Sequence, residues 1–179
     1  GVFSASWSPT GKEIAFIGNN GGSSDIYIYD LDNNNYRQIT DDIFSDSYPS
    51  WNKNGDEIVF VSDRGDYVDG KYGGRMEDHN YSQTDIYIVS TSDNKIRRLT
   101  STPHNENNPI WANTENTIFY TSDYNGVHNL YRHSIDENNG LDNSLNPTAI
   151  TNVLTGLQQP TISRDDNTLI FAGYSGIGW

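Results

Sequence analysis

Two carboxylates stand at matched positions in front of two tryptophans, and this pattern could build a metal site. Asp46 and Glu106 each lie three residues before a proline, and Trp51 or Trp111 follows that proline two residues later. A weaker third copy has Leu157 at the matching position. Carboxylate oxygens are the hard ligands that Ca²⁺ prefers, so calcium is the one candidate cofactor. The alternative is a pair of solvated acids that hold no ion.

Tyrosine, arginine and histidine gather in loops close to these carboxylates in the sequence. Most of them fall in the glycine-rich stretch 66–84. Tyrosine and arginine are over-represented among the residues that dominate the binding energy of protein interfaces. We therefore expect the set to bind a protein or a glycan, and the alternative is a loop that only packs on its neighbours. The set is Tyr67, Tyr72, Arg75, His79, Tyr81, Tyr48 and His104.

The sequence offers little that could carry catalysis. A serine peptidase would show the pattern Gly-x-Ser-x-Gly, and the nearest string, from Gly173 to Ile177, fails at its last position. His104, Gln158 and Gln159 are residue types that could surround a metal. A catalytic metal usually takes three protein ligands, however, and only one histidine, His104, lies in the loops that lead to the first strand of each repeat. The chain is therefore expected to have no catalytic residues.

The tryptophans open a pattern that repeats along the chain. Trp7, Trp51 and Trp111 are each followed by isoleucine seven residues later, and Ile162 is followed by Leu169 at the same spacing. Turn sequences separate short runs of β-branched and aromatic residues, which are typical of strands. Each unit predicts four strands, and such a unit repeated radially is the blade of a β-propeller. The predicted fold class is therefore all-β.

The repeats predict about three and a half blades. They span residues 4–48, 49–108, 109–159 and 160–179, with a loop inserted at 66–84 and only the first two strands in the last unit. Because neighbouring strands run antiparallel, the loops after second and fourth strands share one face. We expect the candidate binding residues to meet on that face and the inserted loop to be removable without loss of the fold.

The strand order also assigns places to the carboxylates and the aromatic residues. The loops that lead to the innermost strands point at the central channel, so Asp46 and Glu106 are expected to converge there. An isolated repeat cannot bury its apolar face, so the aromatic residues that recur in each repeat should lie between blades. The residues expected between neighbouring blades are Trp7, Trp51, Trp111, Tyr27, Tyr87 and Tyr131.

The predicted number of blades is too small for a closed propeller. Propellers close with about four to eight blades. An open set would leave unpaired strand edges, which act as templates for aggregation. We therefore expect the chain to be a fragment of a larger propeller, with the remaining blades supplied by the same chain or by another.

Composition excludes some classes of partner. The chain has 24 acidic and 11 basic residues and a net charge of −13, which argues against binding to nucleic-acid phosphates. No apolar run approaches the length needed to cross a bilayer, so direct membrane insertion is not expected. The chain has no cysteine, which excludes disulfides and thiol chemistry.

The run from Ser6 to Phe16 resembles the Trp-Ser-Pro-Asp-Gly-Lys module of TolB-like propellers. The later strings Ser62-Asp63-Arg64-Gly65 and Asp85-Ile86-Tyr87 fit the same module. The turn aspartate of the module is replaced by Thr10 in the first unit and by Asn54 in the second. Since this module occurs with many functions, the resemblance is specific for the fold and not for the activity.

The resemblance implies a location and a choice of functions. TolB is a periplasmic propeller that binds a peptidoglycan-associated lipoprotein. We therefore expect a periplasmic or extracellular scaffold without catalytic activity that binds a protein or a cell-envelope glycan. Similar repeats form the substrate-gating domains of prolyl-oligopeptidase-like serine peptidases, which is the first alternative. They also form the scaffold of metal-dependent oligogalacturonate lyases, which is the second.

Overall fold

Consecutive strands pair into successive antiparallel sheets along the chain. The computed structural model describes residues 1–19, 21–114, 116–135 and 147–174. Within them, three sheets have four strands each and a fourth sheet has two, always in sequence order. The all-β prediction and the four-stranded unit are therefore confirmed. None of the helices in the described residues has the length and hydropathy of a membrane span.

The strand bounds define the blades. Blade 1 contains β1 (Val2–Trp7), β2 (Glu13–Asn19), β3 (Ser24–Asp30) and β4 (Asn35–Gln38). Blade 2 contains β5 (Asp46–Trp51), β6 (Glu57–Ser62), β7 (Asp85–Ser90) and β8 (Ile96–Arg98), and a short 3₁₀ helix (Met76–Asp78) lies in its inserted loop. Blade 3 contains β9 (Glu106–Trp111), β10 (Thr117–Ser122), β11 (Asn129–Ser134) and β12 (Thr148–Ala149). The last pair is β13 (Leu157–Ile162) and β14 (Leu169–Gly173).

Each innermost strand carries a β-bulge, which changes where the strand begins. In β5 the pairing with β6 shifts between Ser47 and Ser50, and Tyr48 has a left-handed backbone with a φ of 52°. The bulge accommodates Pro49, which has no N–H to give to a ladder. The strand begins at Asp46, three residues before this proline.

Apolar side chains from adjacent blades form the core. One cluster joins β2 and β3 of blade 1 to blade 2, where Trp51, Phe60 and Tyr87 are buried. A second cluster joins blade 2 to blade 3 through Trp111 and Tyr131. The predicted packing of these aromatic residues between blades is thus observed for blades 2 and 3.

Trp7 differs from its counterparts. Trp51 is buried, and its Nε1 donates a hydrogen bond of 3.1 Å to the carbonyl of Ser6 in the preceding blade. Trp7 is 62% exposed and is not part of the buried cluster that joins blades 1 and 2. The expectation that Trp7 packs between blades is therefore wrong for the described residues.

A threonine ties the outer part of each complete blade to its third strand. Thr40 Oγ1 accepts a hydrogen bond of 2.8 Å from the amide of Ile26. Thr100 Oγ1 accepts one of 2.8 Å from Ile86, and Thr151 Oγ1 accepts one of 2.9 Å from Leu130. Threonine at this position satisfies a backbone donor where the ladder with the fourth strand has ended.

We predict that Thr100→Val will destabilise the protein while Thr100→Ser will be tolerated better. Valine has the shape of threonine but leaves the buried amide of Ile86 without an acceptor, which costs about 1–3 kcal/mol. Serine keeps the hydroxyl. Urea unfolding followed by tryptophan fluorescence measures the difference, and equal stabilities for the two variants would contradict the assignment.

Candidate functional site

A buried arginine lies at the base of the loop-bearing face. Arg64 follows β6 directly and is 0% exposed. Its Nη1 lies 2.8 Å from Asp42 Oδ2, its Nη2 lies 2.6 Å from Asp46 Oδ1, and its Nε donates to Ser62 Oγ at 3.0 Å. A buried charge is tolerated only when it is paired and hydrogen-bonded. Asp42 and Asp46 therefore neutralise this guanidinium.

Aromatic rings enclose the same guanidinium. Its central carbon lies 5.6 Å from the ring centroid of Phe44, 5.4 Å from that of Phe60 and 5.7 Å from that of Tyr87. Cations at such distances from ring faces are attracted by the quadrupole of the ring. Phe44 belongs to the connection between blades 1 and 2, so Arg64 joins that connection to the core of blade 2.

The inserted loop of blade 2 folds back onto Phe44. Ring centroids of Phe44 and Tyr67 lie 5.9 Å apart, those of Tyr67 and Tyr72 lie 5.0 Å apart, and those of Tyr72 and His79 lie 5.6 Å apart. His79 and Tyr81 follow at 4.7 Å. We call Phe44, Tyr67, Tyr72, His79 and Tyr81 the rim cluster.

The rim cluster has a buried base and an exposed top. Phe44 is fully buried, and His79 Nε2 lies 3.1 Å from Asp63 Oδ2 with both side chains almost inaccessible. Tyr67 and Tyr81 are 40% and 57% exposed. The structure thus holds aromatic rings at the surface on a base of buried contacts.

The structure brings together only part of the predicted binding set. Tyr67, Tyr72, His79 and Tyr81 meet in the rim cluster, as the shared face of their loops suggested. Arg75 is exposed and lies 3.6 Å from Glu77. Phe44 completes the cluster but was missed, because a phenylalanine in a short connection has no sequence signal that distinguishes it from ordinary core.

The other two predicted residues lie elsewhere. Tyr48 lines the central channel. The ring of His104 packs against Tyr124 at 4.8 Å, and its Nδ1 lies 3.7 Å from Asp123 Oδ1. Both therefore belong to environments separate from the rim cluster.

The inserted loop contributes to the fold. Tyr67, Tyr72 and His79 all pack on Phe44, whose side chain is completely buried. Deleting the loop would expose this ring and one side of the Arg64 site. The expectation that the loop can be removed without loss of the fold does not agree with these contacts, so point variants are the appropriate test of its function.

The two candidate calcium ligands have separate partners. Asp46 is paired with Arg64. Glu106 is buried, and its Oε1 accepts hydrogen bonds from Thr102 Oγ1 at 2.7 Å and from Ser122 Oγ at 3.1 Å. Each carboxyl thus bonds to side chains at its own blade junction, and the expected convergence in the channel is not observed.

Metal ligands do not gather elsewhere in the described part of the chain. No group of three or more histidine, aspartate or glutamate side chains there has the arrangement of a metal site. Of the two glutamines considered with His104, Gln159 lines the channel. Of the peptidase-like string, only Gly173 and Tyr174 are described, and residues 175–177 lie outside the described residues.

Burial shifts the protonation of Glu106. Removal of this carboxyl from water raises its pKa to about 7, hydrogen bonds from Thr102 and other hydroxyls oppose the shift, and the nearby carboxyl of Asp85 adds to it. The blade junction therefore favours the protonated form of Glu106 more than water does.

The innermost strands line an open cavity along the central channel, which we call the channel trough. Its volume is about 440 Å³. Its wall comes from residues 4–7, 48–51, 108–111 and 159–162, together with Asn113. These are the ends of the innermost strands nearer the turns that lead to the second strands, so the trough lies toward the face opposite the rim cluster.

Comparison with known proteins agrees with this geometry. Residues 1–69 match the family model of the TolB beta propeller domain. A Tol-Pal system protein TolB from Francisella tularensis subsp. mediasiatica is 27% identical over 135 residues, which is 75% of this chain and 28% of that protein. The chain is similar to TolB β-propellers.

Solved structures extend the fold match over nearly the whole TolB-like chain. The crystal structure of TolB from Acinetobacter baumannii matches 98% of this chain and 38% of that one, with a TM-score of 0.74 and 18% identity. A puromycin-hydrolyzing peptidase from Mycobacterium tuberculosis matches 92% of this chain and 27% of that one, with a TM-score of 0.62 and 15% identity. At these identities the likeness shows the fold alone.

We predict that Arg64→Met will destabilise the propeller by about 3–5 kcal/mol, the usual cost of removing one partner of a buried ion pair. The variant leaves the carboxylates of Asp42 and Asp46 without their cation. Arg75→Met is the matched control, because the Arg75 side chain is 80% exposed and should change stability by no more than about 0.5 kcal/mol. Urea unfolding compares the two, and equal effects would contradict the role of Arg64.

We predict that Glu106→Gln will gain stability over the original protein as the pH rises from 5 to 8. The pKa of Glu106 is about 7 in the folded protein against an ordinary 4.5, so the folded state binds this proton more tightly and loses that advantage as the pH rises through 7. Glutamine stays neutral, and the gain should reach about 2 kcal/mol. Glu77→Gln, on an 83% exposed side chain, serves as the control. A gain that does not vary with pH would show that burial does not raise the pKa of Glu106.

Proposed function

We propose that this TolB-like propeller is a non-catalytic scaffold of the cell envelope or extracellular space, and that it binds a protein partner through the rim cluster. The observation that carries the proposal is the exposure of Tyr67 and Tyr81 above a fully buried base. Tyrosines that become buried on binding are frequent anchors of protein interfaces.

The contacts beneath the rim cluster favour binding because they fix its rings in advance. Phe44 touches Tyr67, Tyr72 and His79, and Arg64 holds Phe44 from below. Association costs free energy for every side chain that must be ordered, and pre-ordered rings avoid much of that cost. The insertion therefore presents a formed surface rather than a loose loop.

The surroundings of the cluster indicate the chemistry of the partner. Ile43 and Val68 are 43% and 36% exposed and flank Phe44 and Tyr67 in sequence, which enlarges the apolar area. The insertion carries Asp66, Asp69, Glu77 and Asp78 against Lys71 and Arg75. An excess of acidic groups around an apolar centre favours a partner with an apolar pocket and basic groups at its edge.

Three points bear on the choice between an envelope scaffold, a peptidase domain and a lyase. The curated relative is named as a Tol-Pal system protein, and this chain spans 28% of its length, so the activity of the whole protein is part of the proposal. The likeness to the M. tuberculosis peptidase shows a shared propeller and carries no argument for peptidase activity. The lyase alternative would need a cluster of metal ligands, and the described residues supply none.

We predict that a photo-crosslinking amino acid placed at position 67 or 81 will label one protein in cells of the source organism. The same amino acid at Tyr124, which is 64% exposed on the loop after β10, serves as the matched control and should not label that protein. Labelling that is equal at all three positions, or that falls on a glycan, would contradict the proposal.

Affinity measurements complete the test once the labelled protein is in hand. Tyr67→Ser combined with Tyr81→Ser should weaken binding at least about tenfold, the loss expected for interface anchors. Tyr124→Ser should leave the affinity unchanged. Thermal unfolding of each variant shows whether the loss comes from the surface or from the fold.

A further inference from the structure

The channel trough is a second concave site, independent of the rim cluster. Its volume of about 440 Å³ falls within the range of roughly 300–1,000 Å³ typical of small-molecule sites. Its wall is formed by strands rather than by the loops that carry the rim cluster. The innermost strands of the four sheets supply all of this wall except Asn113, so its shape is set by backbone that is hydrogen-bonded in sheets.

The lining of the trough is uncharged, although charged residues make up 20% of the chain. Its polar groups are hydroxyls and amides, and it includes aromatic rings. A charged ligand would enter such a site without a counter-charge, which is unfavourable. An acidic ligand would also meet the net charge of −13 of the protein. The polar lining is instead suited to an uncharged ligand with many hydroxyl groups.

The bulges provide polar side chains that are not used by the fold. Tyr48, Asn108 and Gln159 line the trough with φ values of 52°, 51° and 50°, and each precedes a proline. Left-handed backbone is uncommon for residues other than glycine, and repeated strain of this kind is frequent at ligand sites. In the described part of the chain, none of these three side chains makes a hydrogen bond with the protein.

We infer that the channel trough binds a short neutral oligosaccharide. The amides of Asn108 and Gln159 would donate to and accept from its hydroxyls, as would the hydroxyls of Ser4 and Thr161. The ring of Tyr48, 44% exposed, offers an apolar surface for the face of a sugar ring. This inference does not depend on the function of the rim cluster.

The test is binding of the full chain to an array of neutral and uronic-acid oligosaccharides, followed by calorimetry with the strongest neutral binder. We expect neutral oligosaccharides to bind and the uronic-acid ones not to bind. Binding of the acidic sugars alone, or of no sugar at the highest soluble concentration, would overturn the inference.

Variants place the binding in the trough. Asn108→Gly combined with Gln159→Gly removes both amides, and glycine tolerates the left-handed backbone, so the fold should be kept. We expect affinity to fall at least tenfold. Asn94→Gly is the matched control, because Asn94 has a φ of 57° in the turn between β7 and β8 and does not line the trough. It should leave affinity unchanged.

A further variant separates this site from the rim. Tyr67→Ser combined with Tyr81→Ser should not change sugar binding. If the Asn108 and Gln159 variant bound sugar as well as the original protein, or if the rim variant lost sugar binding, the assignment to the trough would be wrong.

Discussion

The buried charge of Arg64 is the constraint on which the loop-bearing face depends. A guanidinium removed from water requires anionic partners, and these are Asp42 in the connection between blades 1 and 2 and Asp46 at the start of β5. The same connection places Phe44 over the guanidinium. Because the inserted loop packs on Phe44, the position of its tyrosines depends on the buried guanidinium of Arg64.

The end of the channel on the face opposite the rim cluster depends on a different constraint, which is the β-bulge in each innermost strand. The strand opens at Tyr48 and Pro49, and it opens at the equivalent positions of blade 3 and of the last pair, where a proline that cannot donate to the ladder also follows. Blade 1 has the same bulge with Ala5 in place of the proline. The fold repeats this bulge, while the side chain at its left-handed position varies from Ser4 to Tyr48 to Asn108. Within this chain the residue that lines the channel at this position therefore differs from blade to blade, while the bulge is kept.

The sequence predicted features that depend on periodicity and missed those that depend on contacts between distant segments. The spacing after Trp51 and Trp111 predicts a strand, a turn and a second strand. This prediction works because the two strands are adjacent in sequence and pair with each other. The contact of Phe44 with Tyr72 joins loops with no pattern of their own. The sequence predicted that Asp46 faces the channel. Its spacing from Trp51 gives no sign that a buried arginine lies beside it.

Hydrogen exchange of the inserted loop tests most directly whether it is a formed surface anchored through Arg64. Within it, the amides of Tyr67, Gly70 and Asp78 donate to backbone carbonyls of Arg64, Tyr67 and Arg75. We predict that these amides exchange far more slowly than those of an unstructured chain, and that Arg64→Met removes the protection of the loop before that of the blade strands. Exchange at the unstructured rate in the original protein would contradict the account.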